Sequence, residues 1–347
     1  MVQQQCSPPY LFTQRTQHSV LLIRVVSLFN SAKKLIFPKD TCLHQLAKLS
    51  GRLNSLSNPL TLVILGSLTL GVSSAILREI DVGPIAAAFW RVAIAVPILA
   101  LVIFYKRDIA TFHVPQGNIG PLVWAGFFFA GDLSFWHLAL VNTSLGNATF
   151  LATMSSIWVP LIGICFLGVK LHRHFLLGLV LAIAGALLLA REHLSFSFTH
   201  WLGDFYGLVT GFFFTGYLFA ITKCRSEQST LTTMFYSSVG SAVFLLPIAL
   251  VMGQVIGNKF IPASIEGWIP LILLGLVAHV FAQGLIANGL SKLSTHVTAV
   301  VIMLEGVSAM VIGALFYQES RNWLDLIAVL VVTLGIYSAQ SKSSSND

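Results

Sequence analysis

Asp132, Trp136 and His137 stand within six residues of one another in the otherwise apolar run Gly131-Asp-Leu-Ser-Phe-Trp-His137. On a helix Asp132 and Trp136 form an i, i+4 pair on one face. An acid beside an aromatic wall suits an amine or a flat cation. His137, five residues from Asp132, falls about 140° away around the helix axis, so those two side chains do not meet. Glu305 is the only acid between Thr295 and Tyr317. A carboxylate in such surroundings can take up and release a proton, which makes Glu305 the candidate for coupling to a proton. Arg91 is likewise isolated among apolar residues, as a structural or gating candidate whose guanidinium ties helices together or snorkels. Asn147, Gln283 and Asn288 offer amides that can bind a solute or bond helix to helix.

These groups need elements that can hold them in apolar surroundings. An ionised side chain at mid-bilayer costs about 2.5–3.5 kcal/mol on insertion scales, so each should face a cavity or a partner. The 347 residues are 56% hydrophobic and 10% charged, with mean hydropathy +0.82. A soluble domain carries roughly 25% charged residues, so soluble, disordered and collagen-like classes are excluded. Ten apolar segments are expected, over 59–77, 84–104, 119–140, 144–167, 174–190, 202–222, 231–252, 267–289, 295–317 and 324–339. Their continuity excludes a membrane β-barrel, whose strands alternate over about ten residues. Gly66, Gly71, Gly211 and Gly216 are candidates for close helix packing or for gating by bending.

Residues 1–58 hold seven basic side chains and one acid, Asp40, and form a basic N-terminal tail; 341–347 form a C-terminal one. The tail suits anionic lipid headgroups and not a nucleic-acid site. Its composition also matches a transit peptide, which would place the chain in an organelle membrane. With the N-terminus inside, fifteen Lys and Arg face the cytoplasm and four the other side. Both termini are therefore expected in the cytoplasm, in the cell membrane. The cysteines at 6, 42, 165 and 224 have no metal or redox spacing, and no cofactor or metal is expected.

The chain also repeats itself. Residues 140–187 lie on 290–337 at an offset of 150, with Ser144 on Ser294, Ile162-Gly163 on Ile312-Gly313, Phe166 on Phe316 and Gly185 on Gly335. Glu305 falls opposite Ser155, and Gly66 and Gly71 fall on Gly211 and Gly216 at offset 145. The expected fold is an all-α polytopic membrane protein, with ten transmembrane helices in two five-helix repeats, 59–191 and 202–340. Because five is odd, the second repeat must be inverted.

The stretch Ala139-Leu…Ser144…Asn147-Ala148…Phe150-Leu151…Phe166-Leu167-Gly168…Leu177-Gly178…Gly185 resembles the EamA module of the drug/metabolite transporter superfamily, as do Phe89-Trp90-Arg91 and Gly203-Asp204. The chain departs from that pattern at Val169, where the module has Glu, and at Ser156 and Gly306, where it has Pro. The resemblance implies a carrier without ATPase that moves a small metabolite through a central cavity. The expectation is a secondary transporter exporting an amino-acid-like or drug-like solute, with a proton as the candidate coupling ion. An uptake carrier or exchanger for a cationic or nucleotide-like metabolite competes with it. A non-transporting scaffold leaves Asp132 and Glu305 unexplained, and no nucleophile–base pair supports a membrane-embedded enzyme.

Overall fold

The computed structural model describes residues 58–106, 108, 119–143, 145–191, 201–256, 259–317 and 322–340. The tails at 1–57 and 341–347 lie outside them. Ten helical spans long and apolar enough to cross a membrane are present among the described residues, so the chain is a polytopic α-helical membrane protein.

The first half comprises α1 (Pro59–Arg78), α2 (Pro84–Lys106), α3 (Gly120–Asn142), α4 (Leu145–Ala152), α5 (Ser155–Leu167) and α6 (Arg173–Ala190). The second comprises α7 (Trp201–Glu227), α8 (Thr230–Ile256), α9 (Trp268–Leu273), a π-helical stretch Leu274–Gln283, α10 (Gly284–Gly289), α11 (Thr295–Ile302), α12 (Leu304–Tyr317) and α13 (Trp323–Gln340). Local signals set the ends. Asn58 caps α1 through its side chain, which accepts from the Leu60 N–H at 3.0 Å, and Pro59 starts the helix. Gly168 ends α5 at φ 65°, a left-handed conformation that glycine adopts without strain.

Two of the ten spans are interrupted. The fourth, α4–α5, breaks at Thr153 and Met154; the ninth, α11–α12, breaks at Met303. The breaks stand 150 residues apart. Neither contains a proline; the chain tightens instead into i→i−3 bonds, Met154 N–H to Leu151 O (3.1 Å) and Met303 N–H to Val300 O (3.2 Å). The bends expected of prolines at 156 and 306 thus arise without them.

Packing between the halves is reciprocal. Residues 178 and 185 of α6 meet 335 and 328 of α13, and Gly335 meets Ala182 where Gly185 meets Val332. Adding 150 to one side of each contact and subtracting it from the other returns the same set. As the number rises along α6 it falls along α13, so the two helices run antiparallel. A Cβ at Gly178, Gly185 or Gly335 would lie 2.4–2.7 Å from the facing backbone or side chain, so these glycines set the close approach.

Gly66 and Gly71 seat α1 against Ile286 and against Ser308 and Glu305; Gly211 and Gly216 seat α7 against Ala152 and Phe128. Gly66 and Gly216 therefore face the eighth and third spans, which are repeat counterparts. Gly71 and Gly211 in turn face the ninth and fourth spans, a second pair of counterparts, whereas the sequence pairing at offset 145 matched Gly66 with Gly211 and Gly71 with Gly216.

Candidate functional site

A cavity opens where the interrupted spans cross the middle of the bundle. It is lined by Leu70, Arg91, Asp132, Leu133, Trp136, Thr149, Ala152, Thr153, Ser155, Thr210, Phe214, Gln283, Ile302 and Glu305. Its empty volume is about 540 Å³, its open mouth included. Three lining pairs are 150 residues apart: Leu133 with Gln283, Ala152 with Ile302, and Ser155 with Glu305. The cavity straddles the junction between the halves, and the second half supplies the more polar member of two of those pairs.

Each charged group reaches the cavity from a different helix. Arg91, on α2, is 3% exposed and its guanidinium carbon sits 5.8 Å from the Phe129 ring centroid. Asp132, on α3, is buried, and Glu305, in the first turn of α12, is partly buried. The three lie in one another's electrostatic field. Yet among the described residues no ion pair within 4.0 Å joins them. The Arg91 Nε and the Gln283 Oε1 are buried without a hydrogen-bond partner. Buried polar atoms are usually satisfied, and these two belong to residues of the cavity wall. One guanidinium against two carboxylates leaves a surplus of one negative charge when all three are ionised. An ammonium group offsets that surplus; a carboxylate on the same solute would meet Arg91.

Other residues singled out from sequence fall elsewhere. Trp136 lines the cavity beside Asp132, as the i, i+4 spacing required, whereas His137 does not. One residue further on, His137 turns about 100° away, and its ring lies edge-on to Trp136 at 5.2 Å. Asn288 also stays outside the cavity: it accepts from the Thr230 hydroxyl at 3.2 Å and so ties two helices together. Asn147 is on α4, but its side chain lies outside the described ones. His279, packed beside this region, is not part of the cavity wall: its Nε2 pairs with the Ser238 hydroxyl at 2.7 Å, and its ring packs on Phe129 at 5.2 Å. Arg91, read from sequence as structural or gating, belongs to the cavity wall. Ser155, Thr153 and Thr210 line it too, and no local pattern marked them. The offset of 150 pointed only to Ser155. Among the described residues no three His, Cys, Asp or Glu side chains converge as a metal site requires.

Known proteins share this architecture. The chain is 26% identical over 295 residues to the pseudopaline exporter CntI of Pseudomonas aeruginosa, covering 84% of this chain and 99% of that one. It is 25% identical over 272 residues to an uncharacterized transporter of Archaeoglobus fulgidus, covering 77% and 90%. A solved crystal structure superposes with a TM-score of 0.68 at 15% identity, covering 82% of this chain and 95% of that one, which is a likeness of fold. The EamA-like transporter family matches twice, over residues 58–191 and 201–339. With both halves matched, this multi-pass membrane protein belongs to the EamA-like transporter family.

Proposed function

We propose that the protein is a secondary transporter that exports a small amine-bearing, amino-acid-like solute by alternating access. The observation that carries this is the convergence of Arg91, Asp132 and Glu305 on one cavity without direct bonds among them. Asp132 takes the amine, with Trp136 covering its apolar or flat part. Arg91 takes a carboxylate or another anionic group. Glu305 exchanges a proton against the solute's positive charge. The direction follows the likeness to the pseudopaline exporter. The halves are read as inverted repeats, 59–191 and 202–340, which the antiparallel reciprocity of α6 and α13 supports. The cell membrane is the proposed location, and the Lys and Arg bias supports both termini in the cytoplasm.

The test is flux in proteoliposomes of the purified chain, using labelled amino acids, diamines, nucleosides and dicarboxylates. Saturable movement of an amine-bearing solute, and not of a dicarboxylate, is expected. Saturable movement of nucleosides alone would refute the assignment. The surplus negative charge favours a second reading, exchange of a purely cationic metabolite. It is distinguished by a diamine outcompeting an amino acid.

A further inference from the structure

Exchange of the halves maps much of the helix packing onto itself, and α7 is one of the places where it does not. The third span packs on the sixth as the eighth packs on the first, and the ninth on the first as the fourth on the sixth. α7, however, also packs against α8, α10 and α11, whereas its counterpart α1 makes at most marginal contact with α2, α3 and α4. Bonds to neighbouring elements gather toward the C-terminal end of α7. Leu218, Ile221 and Cys224 are buried there. The Thr222 and Thr295 hydroxyls meet at 2.8 Å. Arg225 donates from Nε to the Ala287 carbonyl at 3.0 Å, and from Nη1 to the Gln228 carbonyl. Beside it Thr230 bonds Asn288. A guanidinium on the last carbonyls of a helix also meets the negative end of its dipole.

We propose that the C-terminal end of α7 is the gate at the end of the bundle that carries residues 223–230, with Arg225 as its latch. The latch holds α7 on the end of α10 and, through Thr222, on the start of α11. Thr298, fully buried with its hydroxyl unpartnered, lies on the ninth span between Thr295 and Glu305. It marks the closed route from the cavity to the gate. Release of the latch opens that route, while the end of α1, which also finishes on an arginine, Arg78, closes on α2–α4 at the other end. This rests on the alternating-access reading above, and the test below needs no transported solute.

In a chain with its four native cysteines replaced by alanine, Thr153→Cys places one thiol in the cavity wall. The full-length protein is oriented in vesicles and exposed to a membrane-impermeant maleimide from each side. With Arg225 in place, the thiol reacts slowly from the side bearing 223–230. Arg225→Ala should speed that reaction roughly tenfold, the scale of losing two hydrogen bonds, and slow the reaction from the opposite side. Thr222→Val with Thr295→Val, which keeps shape and removes one bond between helices, should act in the same direction by a smaller factor. Unchanged rates from both sides in the two variants would overturn the gate. Failure of the solute panel with these shifts intact would refute the substrate assignment and leave the gate standing.

Discussion

Glu305→Gln tests the coupling role most directly, because the amide keeps the shape of the side chain and removes its charge. Arg91, Asp132 and Glu305 count to −1 when all are ionised, and to zero once Glu305 is amidated. No nitrogen of Arg91 lies within 4.0 Å of either carboxylate. Each attraction is therefore below about 4 kcal/mol at an effective dielectric constant of 20. The variant should insert and fold, since Arg91 retains Asp132 as a counter-charge. In the unmodified protein a proton and a cationic solute compete for the one surplus negative charge. Lowering the pH should therefore weaken apparent affinity, by up to about tenfold per pH unit where a single carboxyl titrates. In Glu305→Gln the same plot should be flat to within about twofold. Arg91 on α2 and Asp132 on α3 are the charged groups whose fields reach Glu305; Asp132→Asn also brings the count to zero but keeps the Glu305 carboxyl, so a pH dependence that survives in it and not in Glu305→Gln assigns the titration to Glu305. The assay is proteoliposome flux at several pH values, with membrane incorporation quantified for each variant. A variant that transports with the unmodified pH profile would make Glu305 a structural residue and refute the coupling argument.

Asp132→Asn should raise KM for an amine-bearing solute by about tenfold with a smaller change in kcat, because Asp132 shares its face with Trp136; an unchanged KM would remove it from the binding site. Gly71→Ala would bring a Cβ to 2.5 Å from Ser308 Cβ and 2.6 Å from the Glu305 carbonyl. It should cost about 1–3 kcal/mol, read as a lowered Tm in detergent, and a Tm equal to the parent's would contradict the described packing. A reporter active only outside the cytoplasm should be silent when fused after residue 347; robust activity would reverse the assigned orientation.

Spans were legible in the sequence because a bilayer demands about 20 apolar residues at a stretch, whatever the rest of the protein does. Their ends were marked by Asp81-Val-Gly-Pro84 and by Lys106-Arg107-Asp108. Faces were harder to read. Helices apolar all round carry no sidedness, so nothing in the neighbours of Arg91 told whether it faced a cavity or a helix. The i, i+4 rule placed Asp132 with Trp136 because both are on α3. It could not bring Arg91, Asp132 and Glu305 together, since that depends on how three helices cross. Asn288 shows the same limit. Its type suited a solute or a neighbour, and its bond from Thr230 is visible only once the helices are in place. The π-helical stretch Leu274–Gln283 left no signal at all, as its composition is that of any apolar helix.

The lining pairs 133 with 283, 152 with 302 and 155 with 305 have an evolutionary consequence. Two identical subunits around a two-fold axis must carry each side chain twice. In such a pair an acid at one site brings a second acid at the other, and the cavity gains or loses charge only in steps of two. Joining the halves in a single chain lifts that constraint. Ser155 can stay neutral while Glu305 carries charge, and Leu133 can stay apolar while Gln283 offers an amide. An odd net charge, and with it a one-for-one trade between a proton and a singly charged solute, is open to the fused chain and closed to a symmetric dimer.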